Sequence, residues 1–276
     1  MNNQTRIMLN VIETIMLSLF LMMLILVFNS NVITQATTAT SASSGNELSL
    51  IFYAVLTGIF LIAWRLKKLT ITYKYFVQFS LFLIMLSTLL FLYDPTTLLA
   101  LLVTIVIAAV IYYELSKIKS QNIKTIVYIS LFAINAALLI SPLMLLIILI
   151  IFSIYDIIAV RLGLMQKMAA AVINLKLPLI YVQGDIKEIS KKITTKTKIK
   201  TSSSLLGGGD VLLPLALIIS AFIVGYYVIS VIFIALTLIG IFIDFKISGY
   251  YGKAIAALPV ICALFVMIII LAVLWQ

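Results

Sequence analysis

Nine apolar runs, joined by shorter polar connectors, leave this 276-residue chain few ways to fold. They lie at about 8–28, 49–64, 71–93, 97–113, 125–140, 143–160, 208–227, 228–245 and 254–275. At about 1.5 Å rise per residue, most are long enough as helices to cross a hydrocarbon layer about 30 Å thick. Within lipid the backbone must satisfy its own hydrogen bonds, and a helix does so within one segment. Only 10% of the residues are charged, where a soluble domain carries about a quarter. The sequence therefore predicts an all-α polytopic membrane protein with nine transmembrane helices. Asp94-Pro95 and Ser141-Pro142 mark two of the breaks between them.

The basic residues give this bundle a direction. With the amino terminus inside and nine crossings, the inward loops hold Arg65 through Lys74, Lys117 through Lys124, Arg161 through Lys200, and Lys246 with Lys253. Together with Arg6 these are all the basic residues of the chain, so the outward loops hold none. That partition predicts a multi-pass protein of the cell membrane with a cytoplasmic amino terminus and an external carboxyl terminus. It also accounts for the net charge of +10 without nucleic acid, since no aromatic-interleaved basic patch accompanies the lysines. The first run is long for a signal peptide and Glu13 interrupts it, which favours a retained helix. Glu13 itself is expected to pair with a basic residue or to snorkel.

Composition removes several chemistries. The chain has no histidine and a single cysteine, Cys262, which lies in an apolar run. Serine–histidine and cysteine–histidine catalysis are excluded, and zinc has no ligand set to use. No metal or cofactor is expected. If the chain hydrolyses anything, carboxylates must do the work.

Two carboxylates are placed for it. Leu205-Leu206-Gly207-Gly208-Gly209-Asp210 delivers an acid to the very start of the seventh run, where a charge in hydrocarbon is costly. Asp156 lies five residues before Arg161 on the sixth run, so at helical rise it sits roughly 7–8 Å inside the inner boundary. The sixth run travels inward and the seventh outward, so opposite ends reach the same depth. Two carboxyls within about 3–6 Å share a proton and titrate as a pair. The ionised member can take a proton from water and the other can polarise a peptide carbonyl. Tyr155 is expected to offer a hydroxyl nearby. Gly207, Gly208 and Gly209 are expected to allow close backbone approach and unusual dihedrals beside an extended substrate. Ala256-Ala257-Leu258-Pro259, entering the ninth run from inside, falls at the same depth. Asp244, two residues before Lys246 at the end of the eighth run, reads as interfacial and solvated.

Tyr155-Asp156, Gly207-Gly208-Gly209-Asp210 and Ala257-Leu258-Pro259, in this order and spacing, resemble the presenilin/signal peptide peptidase family of GxGD intramembrane aspartyl proteases, and most of all its archaeal presenilin homologues. The resemblance covers the whole chain. It implies a presenilin-like fold and an aspartic endopeptidase cutting within transmembrane segments, with Asp156 and Asp210 as the catalytic pair. It also maps the family's PAL motif onto Ala256-Ala257-Leu258, with Ala256 in place of the leading proline. The partners implied are transmembrane-helix substrates and the bilayer. The inward amino terminus resembles presenilins rather than signal peptide peptidases, and by analogy implies substrates whose amino termini lie outside.

The chain then divides into six amino-terminal helices (1–162), an interfacial helix with a lysine-rich cytoplasmic loop (163–206), and three carboxyl-terminal helices (207–276). Residues 177–182 are short and strand-like, and either Leu179–Val182 or the segment just before Gly207 would add a strand to an unwound substrate. Two other functions fit buried acids: a channel or proton-coupled transporter, and a peptidase of the prepilin or preflagellin kind. The latter group's GxGD resembles one closely followed by lysine, whereas Val211-Leu212 follow here.

Overall fold

In a computed structural model, the described residues are 3–28, 70–93, 97–162, 172–173, 175, 177–183, 204–251 and 257–274. They form eight helices and one two-stranded sheet. The helices are α1 (Asn3–Phe28), α2 (Thr70–Tyr93), α3 (Leu98–Lys117), α4 (Gln121–Leu139), α5 (Pro142–Arg161), α6 (Gly209–Ile223), α7 (Tyr227–Tyr251) and α8 (Ala257–Leu274). The strands β1 (Ile180–Gln183) and β2 (Ser204–Gly207) lie between α5 and α6. Eight of the nine expected helices are therefore present. The second, at 49–64, lies outside the described residues, as do the Ser/Thr/Ala-rich connector, most of the interfacial segment and the lysine-rich loop.

Five helices are each long and apolar enough to cross a membrane, and three shorter apolar ones accompany them. This is a membrane protein's architecture. Local sequence sets the breaks. Thr97 and Ser120 cap α3 and α4 by accepting from the Ala100 and Ile123 N–H groups. Pro142 opens α5, where a missing N–H leaves nothing unpaired. Gly225, at φ 96°, takes the left-handed turn between α6 and α7.

The core forms around α6, the shortest helix. Its 15 residues span roughly 22 Å, less than a full crossing. It packs against α1, α4, α5, α7 and α8 and is buried along most of its length. By contrast α3 leaves Leu99, Leu102, Val103, Val106 and Val110 exposed, a face suited to lipid. Polar ties cross the bundle. Ser130 of α4 donates to the Thr14 carbonyl of α1 at 3.1 Å, and Ser220 of α6 donates to the Ile140 carbonyl at 3.2 Å. Tyr181 of β1 shares a 2.8 Å hydrogen bond with the Thr14 hydroxyl of α1. Burial pushes the Tyr181 phenol up, against the opposing pull of that bond, so it stays protonated.

Candidate active site

The face that α5 turns inward is Leu145, Leu149, Ser153, Asp156 and Ala159, spaced three and four apart. Phe152, Ile154, Ile157 and Ile158, between them, are exposed. Asp156 is therefore carried into the bundle by the helical period itself. It is 3% exposed, and neither carboxylate oxygen has a hydrogen-bond partner among the described residues. One turn away, Ser153 is within hydrogen-bond reach of the Cys262 thiol of α8.

Asp210 comes from the first turn of α6. Its carboxylate folds back to accept a hydrogen bond from the Gly207 N–H. A Cβ on Gly207 would sit 3.0 Å from Asp210 Oδ2, so the bare glycine is what lets the carboxylate lie over the chain. Asp156 lies within electrostatic reach of Asp210. Pro214, one turn on, has no N–H to give the Asp210 carbonyl, which leaves that backbone oxygen free of the helical ladder.

The glycines act differently from expectation. A Cβ on Gly208 would meet the Leu179 carbonyl oxygen and Ile129 Cδ1, each at 2.6 Å. Gly208 is thus required by close approach of β1 and α4 of the chain itself. Gly209 has nothing within 4 Å of its virtual Cβ. None of the three has positive φ, and Gly208 is helical at φ −63°. The expected unusual dihedrals are absent because β2 runs straight into α6.

The sheet decides which strand is open. β1 and β2 are antiparallel, with Tyr181 opposite Leu206 and Gln183 opposite Ser204. The Gly208 N–H donates to the Leu179 carbonyl at 2.8 Å, extending the same ladder. The other edge of β1 is closed by α4. Asn122 accepts from the Val182 N–H and donates to its carbonyl, both at 2.9 Å, and Thr125 donates to the Ile180 carbonyl at 3.3 Å. Along β2, alternation turns the backbone of Leu205 and Gly207 away from β1. That edge ends at the Gly207 N–H, already on Asp210.

Tyr155 does not join the pair. It is 38% exposed and sits edge-on to Phe152, with ring centroids 6.5 Å apart, because one residue along a helix rotates the side chain to another face. Ala257 and Leu258 are buried in the core around α6, and Pro259 falls in the first turn of α8, where its missing N–H has no helical partner to lose. Ala256 lies outside the described residues. Glu13 is exposed.

Asp244 was missed. It is 5% exposed, not solvated, and lies within electrostatic reach of both Asp156 and Asp210. Its helix continues to Tyr251, so Asp244 is an interior position of α7 and faces the bundle. Its spacing from Gly240, i and i+4, was the available signal. Among the described residues no cluster of acids, cysteines or histidines is arranged to hold a metal ion.

No family model and no curated protein sequence matches the chain. Among solved structures it is similar to a presenilin family intramembrane aspartate protease in a C222 crystal form. The TM-score is 0.49 at 17% identity, over 90% of this chain and 92% of that one.

Proposed function

We propose that the protein is an aspartic endopeptidase that hydrolyses peptide bonds within transmembrane segments, using Asp156 and Asp210. One observation carries the reading: two aspartates from neighbouring helices lie within electrostatic reach of each other in an apolar bundle, and one has neither oxygen hydrogen-bonded among the described residues. A buried carboxylate without a partner is costly, and a structural role supplies nothing to offset it. A pair sharing one proton has a use for the vacancy. Water placed between them loses a proton to the ionised carboxylate as its oxygen attacks the peptide carbonyl. The protonated carboxyl hydrogen-bonds the carbonyl oxygen, then passes its proton to the leaving nitrogen as the C–N bond breaks. The pair ends with one proton, carried by the opposite member.

A helical substrate must unwind first. The β2 edge at Leu205 and Gly207 is the side on which an extended segment can add, since α4 covers β1, and it runs directly to Asp210. Ala257 and Leu258 close the site from α8. Substrates are transmembrane segments, with amino termini outside by analogy with presenilins, and the partition of basic residues puts the pair near the cytoplasmic face.

The test uses purified protein reconstituted in lipid with a transmembrane peptide. Cleavage is expected, and Asp156→Asn and Asp210→Asn should each abolish it. Proton flux across vesicles that persists while no peptide is cut would replace this reading with a transporter.

A further inference from the structure

The peptidase reading leaves Asp244 unused, although packing of α7 on α8 and its electrostatic coupling bring it to the same place. Gly240 of α7 packs so closely on α8 that a Cβ there would lie 2.6 Å from Ile261 Cγ1. One turn further inward on the same face, Asp244 comes level with Ala257 and Leu258, both buried. From the other side, the Ser153–Cys262 contact brings Asp156, one turn inward of Ser153, to the same stretch of α8. Asp210 lies within electrostatic reach of both acids. Asp244 Oδ1, like both oxygens of Asp156, is buried without a hydrogen-bond partner among the described residues.

Among the described residues no cation answers the three. Lys246 is exposed and its ammonium lies over the Phe242 ring, 5.3 Å from the centroid. Of the elements packed on α7, α6 contributes Asp210, α8 contributes Cys262, and the Arg6 and Glu13 of α1 are exposed. Arg161, at the end of α5, is exposed as well. Three carboxyls in an apolar enclosure without a counter-ion cannot all be charged.

We propose that Asp244 is a positioning residue that holds a proton beside the Asp156–Asp210 pair and sets the pH range in which that pair carries one charge. It rests on the peptidase reading for its purpose. At the end of a turnover the proton sits on the wrong member of the pair. Through water between the acids, Asp244 can accept it on one oxygen as it releases its own proton from the other to the partner. Protons balance across the three carboxyls.

Two measurements test this. In the first, pH–activity profiles of the wild type and Asp244→Asn are compared on a transmembrane peptide. Removing a neighbouring acid makes the remaining pair easier to ionise, so both limbs should move to lower pH by about one unit. Asp244→Glu should move them back toward the wild type. A loss of activity that is the same at every pH marks a merely structural residue and overturns the proposal. The second needs no substrate: infrared titration of the protonated-carboxyl band, with the Asp156→Asn/Asp210→Asn/Asp244→Asn triple variant as baseline. In Asp244→Asn one carboxyl should vanish and the other two should titrate at lower pH. Unchanged midpoints overturn the proposal, and a shift without any cleavage keeps the coupling while removing the peptidase. If Asp244→Asn does not fold, Asp244→Ser carries the same infrared test, and midpoints of the other two carboxyls identical to the wild type overturn the proposal.

Discussion

Two polar clusters lie inside this apolar bundle, and they are built on opposite principles. Around Asn135 of α4, every polar atom is used. Ser87 donates to Asn135 Oδ1, and the amide nitrogen reaches Thr88 Oγ1, the Ile84 carbonyl at 3.2 Å and the Leu131 carbonyl at 2.9 Å. That cluster fastens α2 to α4 and leaves nothing for a ligand to do. Around Asp156, Asp210 and Asp244, three oxygens have no partner among the described residues. Satisfied polarity in a membrane stabilises contact between helices; unsatisfied polarity leaves oxygens that water and a substrate can bind.

Substitutions can break this contrast from either side. The largest effect should come from Asp156→Asn or Asp210→Asn. Turnover should fall by at least about 10³-fold, the scale of losing a general acid or base, measured as peptide product over time. The melting temperature of Asp156→Asn in detergent should hold or rise, since an unpartnered buried acid is removed; a clear fall would make that acid structural. Asn135→Leu should behave in reverse. It leaves Ser87 and Thr88 without their partner, so stability should drop by about 1–3 kcal/mol in denaturant titration while turnover per folded molecule is kept. Gly208→Ala lies between the two regions. Its new Cβ meets a backbone oxygen at 2.6 Å, and overpacking of that kind costs about 1–3 kcal/mol. Because β2 must shift with Asp210 behind it, both stability and turnover should fall. The smallest effect is expected from Leu205→Pro, which removes one N–H from the open edge of β2 and none from the β1 ladder. KM should rise roughly tenfold, one hydrogen bond's worth, with kcat nearly kept. The matching loss at Ile180→Pro should instead appear as instability, because β1 is closed by α4; a KM effect there would reverse which strand receives substrate.

The contrast also explains what could be read along the chain. Helix existence was legible because apolar runs of such length have one solution in lipid, and eight observed helices start within a few residues of expectation. Asp156 and Asp210 were legible because an acid is out of place in those runs. The pairing of β2 with β1 was not, since Ser204-Leu205-Leu206-Gly207 reads as a strand only against a substrate, and its partner in the chain is β1. Asp244 was misread for a related reason. Lys246 beside it suggested a helix end at water, but α7 runs on to Tyr251 and packing on α8 turns that face inward.

What the sequence determined alone is the eight apolar helices observed and the acids that hydrocarbon makes conspicuous. These follow from one residue's cost in one solvent, which is local. Which acids meet, which strand edge stays open, and which glycine is needed for the chain's own packing were decided by tertiary structure. Each depends on the neighbour a face receives, and a helix carries no record of its neighbour in its own period.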